Sequence, residues 1–343
     1  MRGMTFVDEV KNAVTPRAAL LVIGVLALQL LFITSYVGAL HHPKPRDVPF
    51  AVVAPEQAAG RLVQQLEGLP GDPLDPRTVA DEATARRQIV NRDIDGALIV
   101  DPASNTDTLL VASGGGTVLS SALTTLTNKI EAPRQRNVRT VDVAPASPED
   151  FDGLSAFYLV VGWCVGGYLC ASILAISAGS RPANGQRAVI RLGVMAFYSI
   201  AGGIGGAVIV GPVLGALPGS VLALWGLGAL VVFAVGALTL ALQALTGIVG
   251  IGLAVLVVVI AGNPSAGGAF PLPMLPPFWA AIGPALPPGA GTWAARSIAY
   301  FEGNALLGPC LVLAAWAVAG SAITLAMAVL RRPAASDTRP FGV

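Results

Sequence analysis

The sequence predicts a mainly helical membrane protein: six transmembrane helices, a small extracytoplasmic α/β domain between helices 1 and 2, and a broken re-entrant segment before helix 6. Three observations carry this prediction. Of 343 residues, 54% are hydrophobic and only 12% are charged, about half the charge of a soluble domain. The mean hydropathy is +0.70. The charges are also segregated: residues 41–153 hold 11 basic and 16 acidic side chains, whereas 154–330 hold only Arg181, Arg187, Arg191, Arg296 and Glu302. A net charge of +1 leaves no basic excess to neutralise phosphates, so a nucleic-acid partner is not expected.

The chain opens with residues 1–17, where Phe6, Val7, Val10 and Val14 fall on one helical face. This reads as an amphipathic helix on the inner leaflet, with a frayed terminus as the bland alternative. The first apolar run, Ala18 to Tyr36, would extend about 28 Å as a helix, enough to cross the hydrocarbon core. A cleaved signal peptide competes with this reading, since Val37-Gly38-Ala39 resembles a cleavage site. The run exceeds the usual signal core, which favours retention as span one, over residues 18–40.

Residues 41–153 alternate strand and helix signals. Pro49 to Ala54 reads as a strand, Pro55 to Leu66 and Asp81 to Arg92 as helices, and Gly96 to Val100 and Thr108 to Ala112 as strands. Thr117 to Lys129 is the next helix, and Val138 to Val143 closes the sheet. A chain of this length supports a modest α/β core. Gly114-Gly115-Gly116 before a helix could cradle a phosphate, but no Lys or Ser/Thr pattern follows, and a plain turn is the expectation.

Further apolar runs at 155–178, 190–213, 218–243, 246–262 and 305–330 give spans two to six within residues 154–330. Arg2, Lys11 and Arg17, then Arg181, Arg187 and Arg191, then Arg331 and Arg332 fall on one side of a six-span topology. That side is cytoplasmic by the positive-inside rule, which places both termini, including the tail 331–343, inside a plasma membrane. Gly162 and Gly166, Gly202 and Gly206, and Gly211 and Gly215 form GxxxG pairs suited to close helix packing or a dimer. Arg outnumbers Lys 18 to 3 and Gly numbers 40, so glycine motifs are discounted.

The segment 263–304 carries eight prolines between Pro264 and Pro288, with interspersed aromatics. Too apolar for a solvated loop and too rich in proline to span, it reads as short broken helices dipping into the outer leaflet. A loop folded on the outer domain is the alternative. Phe278, Trp279, Trp293, Arg296 and Glu302 are its candidate gate residues.

Chemistry is sparse. No phosphate-binding loop, HExxH or GxSxG is present, and no paired carboxylates lie within the spans. Cys164, Cys170 and Cys310 sit in apolar runs, and His41 and His42 follow span one; neither set has metal-ligand spacing. No enzymatic activity, metal or cofactor is expected. Ion-coupled carriers keep ionisable groups deep in the bilayer, and here Arg191 lies near a helix end, where it is expected to snorkel, so self-powered transport is disfavoured.

The layout resembles the ABC type-2 transporter permeases, in particular the phage-infection-protein-like branch. "ARRQIVNRDIDGALIVDP" (85–102) looks like that family's recurring helix and strand, and "PLPMLPPFWAAIGPALPPG" (271–289) is similar to its proline-rich segment before the last span. The resemblance implies a permease subunit of an exporter for a lipid-like or hydrophobic compound, paired as a homodimer or with a second permease. It also implies a separate cytoplasmic ATPase docked on "GSRPANGQRAV" (179–189) and on residues 4–14, with Arg181, Asn184 and Arg187 at the dock. This loop is short and carries no acidic residue. The second reading is a non-transporting envelope protein, a scaffold or receptor, that binds through its outer domain.

Overall fold

The computed structural model describes residues 15–330. The expected inner-leaflet helix and cytoplasmic tail lie outside the described residues.

Helix α1, Pro16–Leu40, starts on Thr15, whose hydroxyl accepts the Ala18 N–H at 3.2 Å, with Pro16 in its first turn. Leu20, Leu21, Val22 and Ile23 point successively around the helix, and each is more than half exposed. Such an all-round apolar surface is stable only against lipid or another apolar chain.

The α/β domain follows with β1 (Val48–Val53), α2 (Glu56–Glu67), β2 (Leu74–Thr78), α3 (Glu82–Val90), β3 (Gly96–Ile99), β4 (Thr106–Val111), α4 (Thr117–Glu131) and β5 (Asn137–Asp142). The sheet order is β2-β1-β3-β4-β5, with only the β3–β4 pair antiparallel. Alternation sorts the side chains: Val48, Phe50 and Val52 join Leu62, Leu66, Leu119 and Leu123 on one face. Ala51, Ala97 and Leu110 join Ala85 and Ile89 on the other. Strand β2 escapes sequence reading because Pro76 interrupts it and three of its five residues are exposed. It pairs only with β1, and an edge strand tolerates proline.

Among the described residues four more helices are long and apolar enough to cross a membrane: α5 (Ser155–Ala178), α6 (Gly185–Val208), α7 (Val221–Thr246) and, last of them, α11 (Leu307–Leu330). With α1 they make five. Helix α6 runs on as a π-helix, Ile209–Val213, containing Pro212, whose missing N–H cannot extend a regular ladder. The expected fifth run forms a shorter apolar helix, Val249–Ser265, which starts as α8 (Val249–Val255) and is wound as π-helix over Leu256–Gly262.

Helix α7 is the hub, with more than half of its apolar stretch buried. Bare backbones permit this. A Cβ on Gly203 would stand 2.6 Å from the Ala229 nitrogen, and one on Gly320 2.5 Å from the Ala237 carbonyl carbon. Of the GxxxG pairs, Gly206 packs under Trp163 while Gly162 meets nothing, so the close contacts lie partly one residue off the motif.

Between α8 and α11 the chain breaks into a 3-10 turn (Leu272–Met274), α9 (Pro277–Ile282), a second turn (Gly283–Ala285) and α10 (Pro287–Tyr300). Prolines open α9 and α10, where a missing N–H costs nothing. This segment also folds onto the domain: Met274 completes the core on one face of the sheet and Phe301 the core on the other.

Candidate functional site

Helix α10 presents Trp293, Arg296, Ser297 and Tyr300 at spacings of three and four residues, one stripe of a helix. Between them they meet three parts of the chain. Arg296 is 3% exposed. It donates from Nη1 to the Gly267 carbonyl at 2.6 Å, and from Nη2 to the carbonyls of Gly153 at 3.1 Å and Gly268 at 2.8 Å. It thereby ties the end of α8 and the start of α5 to α10. Its Nε has no hydrogen-bond partner.

One turn on, the Tyr300 hydroxyl donates to Asp150 Oδ2 at 2.5 Å, and Asp150 Oδ1 accepts the Ser155 N–H at 2.7 Å, capping the start of α5. Tyr300 also fits over Gly114: a Cβ there would overlap its ring, and one on Gly116 would overlap the Pro271 ring. The triple glycine is therefore the thin point of the domain where the proline-rich segment comes closest. Gly116, at φ +149, needs its freedom twice over, for its backbone and for this contact.

The domain reaches back with Arg92, which follows α3 at a left-handed φ of 65. Its Nη1 donates to the Trp293 carbonyl and to Ser297 Oγ, both at 2.8 Å. Its guanidinium carbon lies 3.4 Å from the Trp293 ring centroid and 4.7 Å from that of Phe301. Among the described residues the ion pairs are Arg86–Glu82, Arg134–Glu131 and Arg136–Asp107, so neither Arg92 nor Arg296 pairs directly with a carboxylate.

Around these groups lies a cavity of about 520 Å³ between the domain and the helix ends nearest to it. Arg92, Asp93 and Asp95 line it from the domain, Thr292, Trp293 and Arg296 from α10, and Pro309 and Val312 from α11. The rest is mostly apolar: proline, glycine and leucine. Asp95 and Arg92 are half-buried and both line this cavity. Burial pushes the Asp95 carboxyl up to about 6 against the pull of Arg92. Burial, and then the charge of Arg296, brings the Arg92 guanidinium down to about 9.

The residues expected at the gate are therefore not one cluster. Trp293 and Arg296 line the cavity. Trp293 has one face covered by Arg92. Phe278 is exposed and meets Trp279 edge-on at 5.1 Å. Glu302 is exposed, at φ 57.

The expected dock residues sit at the far end of α5, about 36 Å away along 24 residues. There Asn184 Oδ1 caps α6 by accepting the Arg187 N–H at 2.9 Å, Arg181 reaches the Leu245 carbonyl at 3.5 Å, and the Arg187 side chain is exposed. Arg191 does not snorkel outward. It is 5% exposed and donates to the Ala178 and Gly179 carbonyls at 2.8 and 2.6 Å, neutralising the end of α5.

Among the described residues no group of three His, Cys, Asp or Glu side chains could hold a metal ion. Sequence reasoning did not assign Arg92, Asp95 or Asp150. Arg92 and Ser297 are 205 residues apart, and no local pattern announces such a contact. No protein-family model, curated protein or solved structure matches the chain.

Proposed function

We propose that this chain is the permease subunit of an exporter for an amphiphile, with the cavity between the α/β domain and the outer helix ends as its substrate site. That cavity is the observation that carries the reading. Its size suits a headgroup and the first part of an apolar tail. Beside Pro309 and Val312, which line it, Leu307 and Leu311 are strongly exposed, a surface suited to acyl chains.

In this reading Val249–Ser265 is the fifth of six crossings, the domain is extracytoplasmic, and Arg181, Asn184 and Arg187 face a separate cytoplasmic ATPase. The uncovered apolar surface of α1 suits a second permease copy or lipid. The layout resembling the ABC type-2 permeases supports the same assignment. Energy comes from the partner chain, and this chain binds and positions the substrate.

A second reading has its own observation. Phe301 and Met274 plug both faces of the sheet, which joins the domain to α10 firmly enough for a fixed envelope scaffold. Purification of the full chain from its own membrane in mild detergent separates the two. The permease reading expects a co-purifying ATPase whose hydrolysis rises when amphiphile is added. A chain that purifies alone and moves no labelled lipid across a proteoliposome bilayer would overturn it in favour of the scaffold.

A further inference from the structure

Resting on the amphiphile reading, we propose that the cavity recognises a membrane lipid whose headgroup carries net negative charge, a phosphate with no headgroup cation beside it, through the free N–H groups of Arg92 and the Nε of Arg296. Three observations converge on this. First, both guanidinium groups are held only by neutral acceptors, four backbone carbonyls and one hydroxyl. Their positive charges are thus positioned without direct ion pairing, which a buried charge ordinarily requires.

Second, donors are left over on the two arginines that line the cavity. Arg92 spends Nη1 on α10, leaving Nε and Nη2 with no hydrogen bond among the described residues. The Nε of Arg296, itself 3% exposed, is an orphan. Such donors match phosphate oxygens, and a phosphate between the two would also relieve their mutual repulsion.

Third, the acidic groups do not fill that role. Asp93 is exposed to solvent, Asp95 forms no ion pair within 4.0 Å of either arginine, and Asp150, whose charge is felt by Arg296, is held by the Tyr300 hydroxyl and the Ser155 N–H and does not line the cavity. A cationic headgroup would have to lie against two arginines to reach Asp95. The apolar lining from Leu272, Pro309 and Val312 leads from the arginines toward α11, a path for the tail of the same molecule.

The test uses the full chain purified in dodecyl maltoside and equilibrated with equal amounts of phosphatidylglycerol and phosphatidylcholine of identical acyl chains. Lipid retained after detergent washing is quantified by mass spectrometry. Wild type should retain phosphatidylglycerol at least about tenfold over phosphatidylcholine, and Arg92→Gln should bring the ratio near unity. Should Arg92→Gln fail to fold, Asp95→Asn carries the test: removing the nearby negative charge should raise the ratio, and a fall would overturn the proposal.

Equal retention of both lipids would overturn the headgroup assignment and leave the amphiphile reading standing. Retention of neither would remove both. Displacement of the lipid by millimolar inorganic phosphate would make this a free-phosphate site and overturn the lipid source.

Discussion

Arg92 lies flat over Trp293, guanidinium carbon to ring centroid 3.4 Å, while its Nη1 hydrogen-bonds that same residue's carbonyl. One side chain of the α/β domain thus grips both the ring and the backbone of α10. Helix α10 also holds Arg296 and Tyr300, which fasten the chain just after the Val249–Ser265 helix and the chain leading into α5, so this grip links the domain to both.

Replacing Arg92 by Ala removes two charge-assisted hydrogen bonds and the ring contact. The expected cost is about 2 to 3 kcal/mol. A lowered melting temperature, with faster hydrogen exchange in α3 and α10 than in α6, is the expected outcome. Exchange rising equally throughout would show that Arg92 is not a local clasp.

Gly116→Ala adds a methyl group against the Pro271 ring at a backbone angle unfavourable to alanine. About 1 to 3 kcal/mol of destabilisation is expected. Gly60→Ala, in a helix where a Cβ meets nothing, should be neutral or slightly stabilising. Thermal unfolding of the two variants side by side checks the contrast, and similar melting temperatures would contradict the close approach at the triple glycine.

Asp95 makes stability depend on pH. Its folded pKa of about 6 lies above its ordinary 3.8, so between these values the folded state binds more protons than the unfolded one. Stability should therefore fall as pH rises from about 4 to about 6, and above that window the cost stays in place with no further pH dependence from this group. Melting curves of wild type and Asp95→Asn across pH 4–7 check the sign: the difference between them should grow in favour of Asn with rising pH. A difference independent of pH would refute it.

Sidedness is tested with single cysteines in a background lacking Cys164, Cys170 and Cys310. Glu67 and Gln186 are both exposed. They belong to the domain and to the first turn of α6 at the opposite end of the bundle. Cysteine at 67 should react with an impermeant maleimide in intact cells, and cysteine at 186 only after permeabilisation. Reaction of both from outside would overturn the proposed orientation.

The sequence by itself determined the parts whose physics is local. Apolar runs long enough to cross a bilayer announced the five long helices. Alternation and helical spacing announced β1, β3, β4, β5 and the domain helices within a few residues. Proline density announced that 263–304 could not be one helix. It did not reveal β2, since an exposed edge strand carrying Pro76 has no apolar alternation to display.

Only the tertiary structure decided what the unusual residues are for. Arg92, Asp95 and Asp150 are ordinary charges in a polar stretch until folding sets Asp95 beside the cavity that α10 lines and Arg92 and Asp150 against α10 residues 205 and 150 positions away in sequence. Trp293 looks like an interfacial anchor until Arg92 covers it, and Arg191 looks free to snorkel until the open carbonyls of Ala178 and Gly179 claim it. The reason is physical. Periodicity records whether a residue faces apolar or polar surroundings, which is set within a few turns of the same element. A buried donor's choice of acceptor depends on which distant backbone arrives beside it, and that is fixed only when the domain and the helices close on one another.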